Sequence, residues 1–322
     1  MTTKAVRHRL EYAIVLALRA IVRWLPDRAE SALGAALGHV GYLAMPGRRR
    51  LALSQLRGAF PTRSEAECRA IARAAFVQAG RHVITVFKFS TLTPDQMRAR
   101  VEYEGEDRMR LALAAGKGVI AVTGHFGYWE IMGLAHSLLL PPMSVTARQL
   151  DNPRLHEFVE RLRQRTGNRV IYRNGAVRRI LRALDANEIV AMLPDQHIHG
   201  SDAVRVDFFN RPVATTSAVA TLALRTGAPI VPGFALPLEG GRIRLVYEPP
   251  VELPAPGSPD PVRELTQRYT DVLEMYVRRH PHFWLWMHRR WRDLDDEAGD
   301  LHDTLPRSRP IEVEDESRGV FD

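Results

Sequence analysis

Between residues 118 and 248 the chain alternates short apolar runs with helical stretches, and this alternation restricts the fold more than any other feature. The runs are GVIAVT, MSVTA, RVIYR, EIVAML, APIVPGF and RIRLVYE, five to seven residues each. That is the length of a strand rather than a helix, and Gly, Pro or polar residues bound most of them. Helical patterns, including residues 152–164 and 176–184, separate most of the runs. Strands that alternate with helices imply an α/β fold with a mixed central sheet flanked by helices. The first hundred residues read as helical throughout. The expected organisation is an N-terminal helical region over 1–100, an α/β core over 101–292 and an acidic, disordered tail over 293–322.

One of these strands runs into a motif that carries chemistry. The stretch GVIAVTGHFGYWE, residues 118–130, sets His125 and Glu130 five positions apart. Spacing alone decides nothing, because 12 His and 37 acids in 322 residues give roughly 1.4 such pairs by chance. The chain has three: His125/Glu130, His197/Asp202 and His288/Asp293. On one continuous helix, residues five apart point about 140° away from a shared face. The pair converges only where the backbone changes course. For His125 it does, since 118–123 reads as a buried strand, Gly124 and Gly127 as a turn, and the following residues as a helix. A hydrogen bond from His125 to Glu130 is therefore expected, at the strand ends where open α/β sheets bind ligands. A glutamate in a first helical turn is also favoured by the helix dipole alone.

A neutral imidazole held in one tautomer by a carboxylate takes a proton from a hydroxyl. An enzyme nucleophile is the missing part. No Gly-x-Ser-x-Gly elbow occurs, and the single cysteine, Cys68, lies in a helical, charged stretch. The substrate's own hydroxyl is then the nucleophile, which implies direct acyl transfer. Neither a phosphate-binding P-loop nor a Gly-x-Gly-x-x-Gly helix start is present. His197 and His199 have no matching ligand set, so no metal and no other cofactor is expected.

Charge narrows the partners. Residues 293–322 hold 11 acids and 3 arginines, whereas residues 1–292 hold 42 bases against 26 acids, a net of +16. A body this basic seeks polyanions. It carries no zinc-finger, ribonucleoprotein or basic-zipper pattern, so nucleic acid is not the expected partner. The segment 10–25 sets Leu10, Ile14, Ala17, Leu18, Ile21 and Leu25 at helical spacing among Arg19, Arg23 and Trp24. Its apolar run is too short to span a bilayer, so it reads either as an interfacial anchor or as a helix docked on the core. Arg48, Arg49 and Arg50 add attraction to an anionic leaflet. No secretory cleavage pattern follows the segment.

Six blocks follow in order: GHFGYWE, Arg148 with LDNP, PDQ at 194–196, VRVDFFNRPVATT, GAPIVP and WLWMHRRW. With RRRLALSQLRGAFP near the start, they resemble the successive blocks of the lipid A biosynthesis acyltransferases, the lauroyl/myristoyl branch of the glycerolipid acyltransferase superfamily. The resemblance covers residues 10–292. It implies an α/β acyltransferase of lipopolysaccharide biosynthesis at the cytoplasmic face of the cell inner membrane. Such an enzyme moves a fatty acyl chain from an acyl-carrier-protein or coenzyme A thioester to a hydroxyl of a phosphorylated glycolipid. By the same resemblance His125 is the general base, Glu130 orients it, and Arg148, Asp195, Gln196 and Thr215 bind or position substrate. Backbone amides of Gly124 to Gly127 are the expected oxyanion donors.

Other features read as structural. Thr215 and Thr216 also fit a helix start, the aromatic stripe Phe283, Trp284, Trp286 and Trp291 fits packing, and Arg289 and Arg290 fit a solvated basic face. Gln149 stands where many relatives have proline, and Gln55 where asparagine is common. Acceptors in related enzymes include mannosylated phosphatidylinositol. Two readings of other kinds compete: an inactive lipid-binding protein, and a serine-type hydrolase with a nucleophile beside His125.

Overall fold

The structure is a computed structural model that describes residues 3–292; the acidic tail expected over 293–322 lies outside the described residues. Five helices come first: α1 (Thr3–Trp24), α2 (Asp27–Ala44), α3 (Pro46–Ala59), α4 (Glu65–Phe89) and α5 (Pro94–Arg98). Their boundaries follow from local chemistry. Ser64 and Glu67 form a reciprocal capping box at the start of α4, and Thr93 and Gln96 form another at α5.

The α/β region then runs β1 (Val101–Glu104), α6 (Glu106–Ala114), β2 (Val119–Val122), α7 (Trp129–His136), β3 (Met143–Ala147), α8 (Pro153–Gln164), β4 (Arg169–Tyr172), α9 (Ala176–Asp185) and β5 (Ile189–Met192). It continues with β6 (Ala203–Asp207), β7 (Pro212–Thr216), α10 (Ala218–Thr226), β8 (Ile230–Pro237), β9 (Ile243–Tyr247) and α11 (Pro261–Arg279). Seven strands form one sheet in the order β1-β9-β8-β2-β5-β3-β4, and β6 and β7 form a separate antiparallel pair. Only the β8–β9 pairing within the large sheet is antiparallel, so the expected mixed sheet is present.

All six apolar runs are strands of this sheet. The sequence reading missed β1, whose VEYE is half charged, and the β6–β7 hairpin. It also placed a helix start at Thr215 and Thr216. They end β7 instead, and α10 begins at Ala218, because the antiparallel partner β6 pairs them with Val204 and Ala203.

Side-chain alternation splits the central strands between two cores. Val119 and Ala121 of β2 join Ile189 and Ala191 of β5 on the face covered by α7, through Ile131, Leu134 and Ala135. Ile120 and Val122 join Val190 and Met192 on the opposite face, against α9, α10 and α11. Both faces are covered, which explains why these strands are continuously apolar rather than alternating.

The helical region is tied to this core at defined points. Buried Lys88 donates to the carbonyls of Val22, Arg23 and Leu25 and so caps the C-terminal end of α1. Arg19 donates to Ser90, which accounts for a cation within an otherwise apolar run. Gln55 of α3 donates to the carbonyls of Trp286 and His288 and accepts from the Arg290 amide, stapling α3 to the C-terminal segment. Among the described residues no helix is long and apolar enough to cross a membrane.

Helices α2 and α4 cross at Gly34, Gly38 and Gly80, close enough that a Cβ on Gly80 would collide with the backbone of Gly34 and Gly38. Alanine in a helix interior is ordinarily favoured over glycine by about 1 kcal/mol. At Gly80 the collision outweighs that gain, so Gly80→Ala should destabilise by about 1–3 kcal/mol. Gly41→Ala, whose Cβ meets only Phe76 at 3.6 Å, should be neutral or stabilising. Denaturant midpoints of the two variants check the opposite signs; a stabilised Gly80→Ala would refute the close crossing.

Candidate active site

The site is set by strand register. β2 and β5 are parallel neighbours with Val122 opposite Met192. Three residues beyond each lie His125 and Asp195, so adjacent parallel strands deliver the two side chains to the same edge of the sheet. It is the carboxyl edge, where open α/β sheets place their ligands.

His125 Nδ1 lies 2.8 Å from Asp195 Oδ1, and the His125 backbone amide donates to Asp195 Oδ2 at 2.7 Å. The Trp284 indole donates to the same oxygen at 3.0 Å. Asp195 has only 2% of its side chain exposed. Burial pushes its carboxyl upward, but the charge of His125 and these hydrogen bonds outweigh burial and hold it down at about 2. An ionised carboxylate only accepts, so Nδ1 carries the proton and Nε2 is left with its lone pair. Gln196 Nε2 lies 3.1 Å from that nitrogen. Burial likewise depresses the imidazole, yet the charge and hydrogen bond of Asp195 prevail and raise its pKa above the ordinary 6.5.

Glu130 does not make the hydrogen bond expected of it. Its carboxylate accepts two bonds from Arg163 of α8, at 2.6 and 2.9 Å. Tyr128 is non-helical, α7 starts at Trp129, and Glu130 is directed at α8 instead of back at the strand end. Burial raises the Glu130 pKa, but the paired guanidinium lowers it further. His125 feels Glu130 only as a charge, less than it feels Asp195.

Both glycines of GHFG are explained by contact. A Cβ on Gly124 would sit 2.8 Å from Leu273 and 3.0 Å from Asp195 Oδ2. Gly127 has φ +59 and presses against the carbonyl of Ala235. Three of the four amides expected to serve as an oxyanion hole are spent: His125 N bonds Asp195, Phe126 N bonds the Gly124 carbonyl, and Gly127 N bonds that of Phe283. Asp195, the loop itself and the C-terminal segment take one each.

His125, Trp129, Glu130, Arg148, Arg163, Arg173 and Gln196 border a cavity of about 560 Å³. Its walls are apolar where Met132, Met143, Val145, Ile171 and Leu193 contribute, while Arg148 and Arg173 are exposed. Of the residues expected to bind substrate, Arg148 and Gln196 thus border this cavity.

Thr215 does not reach the cavity. It is 1% exposed and its hydroxyl accepts from Arg290. Arg290 is also buried, donating to the Ala214 carbonyl as well, so it is no solvated face. Burial lowers its pKa to about 10. Cys68 lies in the core formed by α3, α4 and the tryptophans. His197 and His199 contact each other at 3.2 Å, and among the described residues no group of His, Cys, Asp or Glu is placed to hold a metal ion. Trp284 is the functional residue the sequence concealed, because a buried indole N–H is invisible until its acceptor is known.

The arrangement defines a class: an α/β protein with a carboxylate-held histidine facing a partly apolar cavity rimmed by cations. The chain belongs to the bacterial lipid A biosynthesis acyltransferase family, whose model matches residues 2–293. It is an acyltransferase. It is 26% identical over 262 residues to the lipid A biosynthesis palmitoleoyltransferase of Escherichia coli K12, covering 81% of this chain and 84% of that protein. It is 25% identical over 292 residues to the lipid A biosynthesis myristoyltransferase of the same organism, covering 88% of each. The phosphatidylinositol mannoside acyltransferase of Mycolicibacterium smegmatis is 23% identical over 283 residues, covering 86% of this chain and 90% of that one.

The geometry predicts an order of effects on His125. A pH titration of its imidazole by NMR should give a midpoint above 6.5 in the wild type. Asp195→Asn should drop the midpoint, whereas Glu130→Gln should lower it less. A larger drop in Glu130→Gln would restore the sequence expectation. In stability, the raised histidine contributes most below 6.5 and loses that contribution as pH rises through its folded value. The depressed Asp195 contributes above 3.8 and loses it as pH falls toward 2.

Proposed function

We propose that the chain transfers a fatty acyl group from an acyl-carrier-protein or coenzyme A thioester to a hydroxyl of a phosphorylated lipid A precursor. The single observation that carries the mechanism is the His125 ring: Nδ1 is held by Asp195, and the Nε2 lone pair faces the cavity, accepting from the Gln196 amide that the acceptor hydroxyl displaces. Nε2 removes the proton of the acceptor hydroxyl as its oxygen attacks the thioester carbonyl. The tetrahedral oxyanion collapses, the carbon–sulfur bond breaks, and the imidazolium returns its proton to the departing thiolate. An ester and a free thiol result, with no acyl-enzyme.

General-base assistance contributes about 10²–10⁴ in rate. A positioned oxyanion donor contributes about 10²–10³ more, and the Gln196 amide is the donor we assign to it. Asp195 is the positioning group for the base. Glu130 holds Arg163, which with Arg148 and Arg173 presents guanidiniums suited to phosphate on the acceptor. The apolar walls suit the acyl chain.

The proposed setting is the cytoplasmic face of the cell inner membrane, with attachment through α1. Leu10, Ile14, Ile21 and Trp24 are exposed along that helix, while Val22 is buried and Leu18 packs on α4. One face of α1 is docked on α4, and the exposed apolar face is the one we assign to the interface. Leu37, Val40 and Leu43 of α2 extend the exposed apolar surface. Acyl carrier protein is an acidic donor suited to the basic body.

The test is acyl transfer by membranes bearing the protein, with labelled acyl-carrier-protein thioester and a phosphorylated lipid A precursor. His125→Ala should lower kcat by at least about 10². Since the base must be neutral, the rate should rise with pH with a midpoint above 6.5. A covalently acylated protein trapped during turnover would refute direct transfer. Transfer only to a mannosylated phosphatidylinositol would move the acceptor, and no transfer to any glycolipid would favour the inactive lipid-binding reading.

A further inference from the structure

A second concavity, of about 890 Å³, lies between α2, α4 and the turn joining β8 to β9. The two cavities have adjacent residues as walls, Trp129 in the first and Tyr128 in the second. Arg28, Arg73, Arg81, His39 and His282 border the second.

Its inner wall holds polar atoms that have found no partner. Gln78 and Glu30 are 5% and 4% exposed; Glu30 Oε2 is ion-paired with Arg100 at 3.7 Å, whereas Gln78 Nε2 makes no hydrogen bond. Nor does Arg81 Nε. Buried polar atoms are almost always paired, so these two adjacent unpaired donors mark a place open to an acceptor.

The sign of that acceptor follows from the charges. Three acids border the cavity: Asp27, Glu30 and Glu239. Asp27 is held by Arg100 at 2.5 Å, and Glu239 is exposed at the turn. Glu30 receives the Thr85 hydroxyl at 3.1 Å, and burial favours its protonated form. Arg28 and Arg81, by contrast, have no carboxylate within ion-pair distance among the described residues. The wall is thus rich in donors and poor in free acceptors. A phosphate group has only acceptor oxygens and matches the guanidinium fork. The helix that supplies Arg28 and His39 also exposes Val40 and Leu43, at 61% and 70%.

We propose that this concavity is a binding site for a phosphate-bearing headgroup, distinct from the cavity at His125 and independent of the acyl-transfer reading.

The test uses the full chain carrying His125→Ala, so that no turnover intervenes. Calorimetry with inorganic phosphate, glycerol 3-phosphate and a short-chain phosphatidylglycerol is combined with flotation on phosphatidylcholine vesicles with and without phosphatidylglycerol. The variants are Arg28→Gln with Arg81→Gln, and, as a control of equal charge, Arg178→Gln with Arg182→Gln on exposed positions of α9. The site variant should weaken phosphoester binding by roughly tenfold or more, and the control should not. Loss confined to phosphatidylglycerol identifies a lipid headgroup; loss for the two soluble phosphates with unchanged flotation identifies a free phosphoester. Arg28→Gln with Arg73→Gln, both at exposed positions, serves if Arg81→Gln misfolds. Equal losses in site and control variants, or no loss for any probe in a folded site variant, overturn the proposal.

Discussion

Everything at the catalytic end of this sheet is organised around one buried carboxylate. Asp195 accepts from the His125 ring, the His125 amide and the Trp284 indole. These three bonds connect the loop after β2, the loop after β5 and the C-terminal segment. An ionised carboxylate deprived of water is costly to bury, and only a full set of donors makes its burial tolerable. The site and the packing of the C-terminal segment are therefore coupled. The aromatic cluster of Phe126, Phe208, Trp284, Trp286 and Trp291 keeps water away from the far side of the pair.

The same requirement explains distant residues. Gly124 is small because Asp195 comes within reach of its backbone, and Gly127 is glycine because the chain turns there with positive φ against β8. Gln55 holds the segment that carries Trp284 by three hydrogen bonds. Arg290, which the sequence leaves as a surface cation, is enclosed because Ala214, Thr215 and the ring of Phe208 supply its contacts. A structural role for the last aromatic and basic block is thus part of the catalytic arrangement.

Glu130 shows how far a spacing argument reaches. The turn between His125 and the helix was legible from two glycines, and it does let the side chains approach. Which carboxylate His125 takes is decided by competition, and here Arg163 on α8 binds Glu130 in a bidentate pair while Asp195 arrives from the adjacent strand. Asp195 was named as a site residue through the family blocks, but its role as the histidine's partner depends on a pairing seventy residues apart in sequence. The oxyanion expectation narrows for a related reason, since His125, Phe126 and Gly127 have amides already claimed elsewhere in the fold.

By itself the sequence determined the alternation of strands and helices, the caps of α4 and α5, and the turn at His125. These are local properties, fixed by apolar period, by side chains that reach their own backbone, and by glycines that permit a turn. Tertiary structure alone decided the order of the sheet, the choice of Asp195 over Glu130, the burial of Thr215 and Arg290, and the recruitment of Trp284. Each depends on which donor and acceptor meet first when distant segments pack, and a hydrogen bond between such segments has no period along the chain to reveal it.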